Sequence, residues 1–159
     1  MSKSFYNECN QKLVSDKILK YIYLAKYISN WSKDPSTKTG CVIVRQDGTI
    51  ASMGYNGFPR TVKDDESLLN NREEKYKRTI HAEMNAILSA RERLDGYTLY
   101  NWPGQSCERC AVHIIQSGII KVVSPKIASD FIERWKEQIE LAENLFIEAG
   151  VDFFYVNID

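Results

Sequence analysis

A turn signal at Asp47-Gly48, followed by alternating helical and strand-like segments, restricts this chain to few folds. The segment CVIVRQDGTIASMGY holds two β-rich runs on either side of Asp47-Gly48, a dipeptide that suits the tight turn of an antiparallel hairpin. Three further strand-like runs, YTLY, IIKVV and VDFFYV, alternate with helical segments. The order α-β-β-α-β-α-β-α-β predicts an α/β fold with one five-stranded mixed sheet and helices on both faces.

The first two helices are predicted from periodic apolar residues and end signals. The first covers residues 16–31, with Ser15 as its N-cap. The second begins at the possible cap Thr79 and runs to Asp95-Gly96. Residues 60–78 carry alternating charges without an apolar stripe, which predicts an exposed and partly helical excursion.

The last two helices are each predicted to end at a glycine. The third covers residues 108–117 and ends at Gly118, and the fourth ends at Gly150. One apolar stripe marks the fourth helix. Its members are Phe131, Ile132, Trp135, Ile139, Ala142, Phe146 and Ala149.

Length and charge narrow the class of protein. The 159 residues suit a single domain over residues 1–159. Twenty-one basic and twenty-one acidic side chains cancel, which argues against a nucleic-acid surface, because phosphate contacts need a basic excess. No apolar run reaches the length of a signal peptide core or a membrane span. We therefore expect a cytoplasmic protein that binds neither membrane nor nucleic acid.

The pair Cys107 and Cys110 is the strongest chemical signal in the chain. In a reducing compartment, a close cysteine pair is more often a metal site or a redox centre than a structural disulfide. Cys41 lies within an apolar run and is expected to fill the core. The pair alone leaves open a redox dithiol, a closed structural zinc site and part of a reactive zinc site.

His81 favours the reactive zinc site. It begins the second helix as the cysteine pair begins the third, and helix starts at one end of such a sheet are where ligands bind. Glu83 follows two residues later, about 200° around a helix, which suits proton transfer with a metal-bound water better than ligation. A closed four-ligand site would need His113, which lies about 240° around its helix from Cys107 and tends to point away.

Several segments resemble a known family. HAEMNAIL followed by CERC is similar to the signature of zinc-dependent cytidine and deoxycytidylate deaminases. SKDPSTKTGCVIV, GYNGFPR, REEKYKRTIHAEMNAI and HIIQSGI resemble segments of deoxycytidylate (dCMP) deaminases, and the likeness covers residues 16–155. The resemblance implies the three-layer cytidine-deaminase-like fold and hydrolytic deamination of dCMP to dUMP and ammonia.

The resemblance also implies roles for the zinc site. His81, Cys107 and Cys110 become ligands of a catalytic Zn²⁺. Glu83 becomes the catalytic proton shuttle, which protonates ring nitrogen N3 while a zinc-activated water attacks C4 of cytosine.

Substrate contacts follow from the same resemblance. Asn56 is similar to the asparagine that bonds the sugar or phosphate, and Thr39 would help to line the base pocket. The backbone N–H of Ala82 would face the pyrimidine carbonyl. Ser32 and Lys33 would hold the 5′-phosphate at the mouth of the site.

Regulation and assembly are further implications of the resemblance. Many dCMP deaminases are hexamers activated by dCTP and inhibited by dTTP, so a homo-oligomer, hexamer or dimer, is expected, with Mg²⁺ accompanying a nucleotide effector. The alternative to an effector site in the segment GYNGFP is a simple tight turn, because Asn-Gly and Pro suit any such loop. The residues implied in the effector site are Gly54, Tyr55, Asn56, Gly57 and Pro59.

One position departs from the family pattern. The family normally has proline directly before the first cysteine, whereas Ser106 stands there in this chain, three residues after Pro103. This departure bears on the shape of the base pocket.

A deaminase of the same fold could instead act on a free nucleoside, a guanine-type base, a pterin or riboflavin precursor, or an adenosine in tRNA. A zinc-stabilised binding module without turnover is the alternative from another class.

Overall fold

The computed structural model describes residues 16–127 and 130–158, and it contains the predicted five-stranded mixed sheet. The strands lie in the order β2-β1-β3-β4-β5. β1 pairs antiparallel with both β2 and β3, whereas β3, β4 and β5 run parallel to one another. The strands are β1 (Gly40–Val44), β2 (Ile50–Tyr55), β3 (Thr98–Trp102), β4 (Lys121–Pro125) and β5 (Asp152–Val156).

The hairpin between β1 and β2 forms at the predicted turn. Gly48 has a φ of 88°, in the left-handed region that glycine adopts readily, and its N–H donates to the carbonyl of Arg45 at 3.0 Å. The Asp47 carboxylate accepts a hydrogen bond from the Thr49 N–H at 2.9 Å. The turn residues therefore fix the register that starts the sheet.

Helices cover both faces of the sheet. The helix α1 (Asp16–Ser29) packs on one face, and α4 (Ala82–Ser89), α5 (Glu108–Gln116) and α7 (Lys136–Ala149) pack on the other. Along β1, Val42 belongs to the core under α1, whereas Cys41 and Ile43 belong to the core under the other three helices. This alternation follows from the two-residue period of a strand, and it confirms the three-layer α/β prediction.

Gly54 lets α4 lie directly against β2. A Cβ atom at this position would be 2.4 Å from the Ala82 carbonyl oxygen and 2.5 Å from the Ala86 nitrogen. Both atoms belong to the helix backbone, so a larger residue would push α4 away from the sheet. The close approach sets the position of the first turn of α4.

The second predicted helix is shorter than expected at both ends. α4 begins at Ala82, because Thr79 instead ends the preceding helix, its hydroxyl donating to the Lys75 carbonyl at 2.8 Å. Ile80 then runs extended and pairs with Gly57 in an isolated bridge. At the other end, Ala90 is extended, with a ψ of 139°.

The fourth predicted helix is divided in two. A short helix, α6 (Asp130–Arg134), is separated from α7 by Trp135, whose φ of −107° and ψ of 13° break the helical path. The sequence does not indicate this break, because the apolar stripe continues across Trp135. Gly150 ends α7 in the left-handed conformation as predicted, but Ala149 is exposed rather than part of the stripe.

The charged excursion contains two short helices, α2 (Glu66–Leu69) and α3 (Arg72–Arg78). Most of it is exposed or half-buried as predicted, but Lys75 is buried. The predicted cap Ser15 lies outside the described residues. Within residues 16–127 and 130–158, the helices are too short or too polar to cross a membrane.

Candidate active site

Two helix starts bring His81, Cys107 and Cys110 together. His81 is the N-cap of α4 and Cys107 is the N-cap of α5, with Cys110 one turn later. One ligand atom from each of the three lies within 4.8 Å of the others. Cys107 and Cys110 are free, buried cysteines, so they do not form a disulfide. Unpaired backbone N–H groups at both helix starts favour negative charge on the sulfur atoms.

The distances within this group suit a tetrahedral zinc ion. His81 Nδ1 lies 3.5 Å from Cys107 Sγ and 3.4 Å from Cys110 Sγ. With typical Zn–N and Zn–S bond lengths, the edge between N and S in a tetrahedron is about 3.6 Å. One nitrogen and two sulfur donors are also the ligand types that zinc prefers. The group therefore fits zinc with three protein ligands and a fourth position open.

Hydrogen bonds within the group separate the pKa values of its members. The bond from Cys110, together with His81, lowers the pKa of Cys107 to about 4. The bond to Cys107 raises the pKa of His81 to about 9. The pKa of the Cys110 thiol is raised by its interaction with Cys107 and by its burial. These directions favour negative charge on Cys107 and a proton on His81 when no metal is bound.

Glu83 lies beside this group in the first turn of α4. It is buried, and burial raises the pKa of its carboxyl, while the charge of His81 acts in the opposite direction. The Glu83 charge in turn helps to raise the pKa of the Cys110 thiol. A carboxyl group with a raised pKa next to a metal site is well placed to take up and release a proton.

Ser106 occupies the position where the family has proline. Its hydroxyl oxygen accepts a hydrogen bond from Asn101 Nδ2 at 2.8 Å. The backbone N–H of Ser106 donates to Gln105 Oε1 at 2.9 Å. The peptide bond between Trp102 and Pro103 in the same loop is cis.

Asn56 and Thr39 lie together, and their polar groups bond to each other. Asn56 Oδ1 accepts from the Thr39 N–H at 2.8 Å, and Asn56 Nδ2 donates to the Thr37 carbonyl at 2.9 Å. Ser32 is buried, and its hydroxyl donates to the Asn56 carbonyl at 2.8 Å. The neighbouring residue Gly57 pairs with Ile80, which precedes His81. This network therefore borders the group of His81, Cys107 and Cys110, called the zinc group below.

The other two predicted substrate residues differ in exposure. Lys33 is exposed and forms a 2.6 Å ion pair with Asp64. Ala82 is buried as the first residue of α4, so its N–H is one of those without a partner inside the helix.

The five residues of the predicted effector loop have different environments. Gly54 is packed against α4, and Asn56 belongs to the network around Thr39. Tyr55 is exposed, with its ring edge-on to Trp31 at 6.0 Å between centroids. Gly57 has open space around its Cα, and Pro59 is half-buried.

Two pairs of residues near the site could not be identified from the sequence. Trp135 stands edge-on to His81, with 6.3 Å between ring centroids, and Arg134 Nη2 lies 3.4 Å from Thr37 Oγ1. The helix break at Trp135 places them there. Lys75 Nζ and Asp34 Oδ1 form a buried ion pair, 3.0 Å apart, which supports the loop that contains Thr37. A charge run gives no indication that one lysine is buried.

His113 and Cys41 lie outside the zinc group. His113 is exposed on α5, with Nδ1 2.6 Å from the Arg109 carbonyl oxygen of its own helix. Cys41 is buried in the core on β1.

Comparisons with known proteins agree with this geometry. The family model for the cytidine and deoxycytidylate deaminase zinc-binding region matches residues 15–125. An uncharacterized deaminase from the luxG 3′ region of Aliivibrio fischeri is 39% identical over 149 residues, which cover 92% of this chain and 98% of that protein. The deoxycytidylate deaminase of Mus musculus is 36% identical over 130 residues, covering 77% of this chain and 69% of that protein.

A solved structure has the same fold. The dCMP deaminase from the cyanophage S-TIM5, in complex with dCMP and dUMP, aligns with a TM-score of 0.70 at 24% identity. The alignment covers 91% of this chain and 99% of that one. The zinc ligand set, the fold and the matching family model lead to one conclusion: this chain belongs to the family of zinc-binding cytidine and deoxycytidylate deaminases.

Proposed function

We propose that the protein catalyses the hydrolytic deamination of dCMP to dUMP and ammonia in the cytoplasm. The observation that carries the proposal is the buried Glu83 carboxyl beside a His81, Cys107 and Cys110 group with the dimensions of a zinc site. The likeness to the mouse deoxycytidylate deaminase supports dCMP as the substrate.

In this proposal, His81 Nδ1 and the two cysteine sulfurs hold the metal. Zinc at this position supplies Lewis-acid activation of a water molecule, whose pKa it lowers to about 7. Glu83 takes a proton from the water that adds at C4 and donates it to N3 of the ring. It then takes the second proton of that water from the C4 hydroxyl and delivers it to the departing ammonia. One water molecule is consumed and one ammonia released, so the atoms balance.

Residues around the zinc group would hold the nucleotide. The Ala82 N–H, at the start of α4, faces the pyrimidine carbonyl, and Thr39 lines the base pocket beside Asn56, which bonds the sugar or phosphate. Ser32 supports Asn56 through its hydrogen bond to the Asn56 carbonyl. Lys33 exchanges Asp64 for the 5′-phosphate, because its ion pair is exposed and weak.

Replacement of Glu83 by glutamine tests the proton-transfer role. Glu83→Gln keeps the size of the side chain but removes the group that moves protons, so kcat should fall at least about 100-fold. Zinc content should stay at one ion per chain. Activity is measured by the ultraviolet change on loss of ammonia, and zinc by atomic absorption. Glu92→Gln is the matched control, since Glu92 pairs with Arg45 away from the site and its loss should leave kcat unchanged.

A substrate panel tests the choice of nucleotide. Ammonia loss is compared for dCMP, CMP, deoxycytidine, cytidine and guanine under identical conditions. We expect higher kcat/KM with dCMP and CMP than with the other compounds, because Lys33 can hold a 5′-phosphate only in a nucleotide. The likeness to deoxycytidylate deaminases favours dCMP over CMP. Turnover restricted to unphosphorylated compounds would contradict dCMP as the substrate without affecting the zinc chemistry.

We also propose that dCTP activates and dTTP inhibits the enzyme as a homo-oligomer, a hexamer or a dimer. The effector, with Mg²⁺ on its phosphates, would contact the loop of Gly54, Tyr55, Asn56, Gly57 and Pro59. The exposed pair of Tyr55 and Trp31 offers aromatic surface next to that loop. Rates measured with and without dCTP or dTTP test this, and equal rates would remove the regulatory proposal.

A further inference from the structure

Arg134 is an exposed arginine at the edge of the candidate active site. It ends α6 directly before Trp135, whose ring stands edge-on to His81 with 6.3 Å between the ring centroids. Consecutive Cα atoms are about 3.8 Å apart, so Arg134 starts close to a residue that contacts the zinc group. A nucleotide with its base at the zinc group has its phosphate one sugar away, which is the region that a side chain at this edge can reach.

The guanidinium of Arg134 keeps most of its hydrogen-bonding capacity. Its Nε lies 3.3 Å from the Asp130 carbonyl oxygen and its Nη2 lies 3.4 Å from Thr37 Oγ1, and both distances are long for a hydrogen bond. A guanidinium has several further N–H groups in a planar fork, and these stay available to a ligand. Among the residues that the structure describes, no carboxylate forms an ion pair with Arg134. The arginines that have such a pair are Arg45, Arg78 and Arg93.

The loop that Arg134 contacts also holds Asn56. The Thr37 carbonyl accepts a hydrogen bond from Asn56 Nδ2 at 2.9 Å, and the Thr37 N–H donates to Asp34 Oδ1 at 3.1 Å. The charge of Asp34 is balanced by Lys75, whose Nζ lies 3.0 Å away. Asp34 therefore adds no net negative charge that would repel an anion. Thr37 thus brings Arg134 next to Asn56, the residue proposed to bond the sugar or phosphate.

We propose that Arg134 binds the 5′-phosphate of the substrate and thereby determines the preference for a nucleotide over a nucleoside. A planar guanidinium can bond two phosphate oxygens at once, which a lysine ammonium cannot do in the same fixed geometry. Lys33 must give up its ion pair with Asp64 to reach a phosphate, whereas Arg134 gives up only two long hydrogen bonds. The inference rests on the proposed deaminase function and names a residue that would recognise the phosphate of its substrate.

Kinetics with a nucleotide and its nucleoside provide the first test. Arg134→Gln removes the charge but keeps a polar side chain, so kcat/KM for dCMP should fall about 30-fold, while kcat/KM for deoxycytidine stays within about twofold. Arg134→Lys keeps the charge without the planar fork and should lie between the wild type and Arg134→Gln. Arg93→Gln is the control and should change neither value, because Arg93 pairs with Asp95 beyond the end of α4 that lies away from His81.

Binding of the product gives a second test that does not depend on turnover. Calorimetric titration of the zinc-loaded protein compares dUMP with deoxyuridine, which differ only in the 5′-phosphate. In Arg134→Gln, the Kd of dUMP should rise about 30-fold, because a charged hydrogen bond to the phosphate is lost. The Kd of deoxyuridine should change by less than about twofold, since this ligand has no group for Arg134 to bind.

The combined outcomes separate this inference from the proposed function. An equal loss for the nucleotide and its nucleoside in either assay would overturn the inference, because Arg134 would then support the shape of the site and not the phosphate. An unchanged kcat/KM for dCMP in Arg134→Gln would also overturn it and leave Lys33 as the phosphate residue. A wild-type protein without activity on dCMP contradicts the proposed function, while a loss of affinity confined to dUMP would still support the contact between Arg134 and the phosphate.

Discussion

Lys75 and Asp34 form an ion pair with side chains only 4% and 9% exposed. Lys75 Nζ also lies 3.1 Å from Ser36 Oγ, and Asp34 Oδ1 accepts from the Ser36 N–H at 2.7 Å. The pair joins α3 to the loop that carries the predicted substrate residue Thr39. Two buried charges that satisfy each other are stable together, but either one alone is costly.

Removal of Lys75 should therefore destabilise the protein strongly. Lys75→Ala leaves Asp34 as an unpaired buried charge, and we expect the free energy of unfolding to fall by about 3 kcal/mol. Lys77→Ala on the same helix removes only exposed pairs with Glu73 and Glu74 and should leave the free energy of unfolding nearly unchanged. Urea unfolding measures both. Similar costs for the two variants would contradict the burial of the Lys75 pair.

Protons on the zinc group should compete with the metal. Without metal at pH 6, His81, with a pKa of about 9, and Cys110, with a raised pKa, both hold protons, whereas Cys107, with a pKa of about 4, does not. Zinc needs a neutral imidazole and two thiolates, so its binding should release about two protons at pH 6 and strengthen as pH rises. Calorimetric titration in two buffers with different ionisation enthalpies measures this number. Release of one proton or fewer would contradict the hydrogen bonds described for this group.

At the scale of elements, the contact between β2 and α4 decides where His81 lies. Gly54→Ala would place a methyl group against the backbone of Ala82 and Ala86, at a cost of about 1 to 3 kcal/mol in stability. The displaced α4 should also bind zinc more weakly. Gly57→Ala is the control, since a Cβ there meets nothing within 4 Å and should change stability by at most about 0.5 kcal/mol. Unfolding and zinc titration of the two variants should differ clearly, and equal effects would argue against the close approach.

Local signals were enough to predict the sheet and the helix ends next to Gly118 and Gly150. The turn at Asp47-Gly48 and the helix end at Gly150 both need a left-handed backbone conformation, and glycine in the sequence is a local signal for it. The break at Trp135 was not predictable, because Phe131 and Trp135 continue the apolar spacing of α7. Their rings pack on each other, 6.3 Å apart, and Trp135 also faces His81. Apolar spacing does not distinguish a core contact from a contact at the site.

The sequence identified the zinc group but not its surroundings. His81, Cys107 and Cys110 were recognisable because metal ligands belong to few residue types and begin helices here. Ser106 was noticeable only as a departure, since its burial and its bond from Asn101 depend on how the loop packs against β3. Lys75 was misjudged as exposed, because burial of a charge depends on a partner distant in the chain, here Asp34.

For the whole molecule, zinc should contribute measurably to stability. With free zinc about 1,000-fold above its dissociation constant, binding adds about 4 kcal/mol, which should raise Tm by roughly 8 to 16 °C over the chelator-treated protein. Cys110→Ala should abolish this rise. Cys41→Ala removes another buried cysteine, outside the zinc group, and should keep it. Scanning calorimetry with and without chelator tests all three proteins, and a zinc-dependent rise in Cys110→Ala would contradict its assignment as a ligand.

His81 and Cys107 lie 26 residues apart in the chain, so a metal ion between them acts as a cross-link that closes a loop of that length. A disulfide closing such a loop would reduce the entropy of the unfolded chain by an amount equivalent to about 3.5 kcal/mol. This constraint varies only with the logarithm of loop length, by about 0.6 kcal/mol for each doubling. Residues inserted at the exposed positions 91–93, between α4 and β3, should therefore leave the zinc group intact.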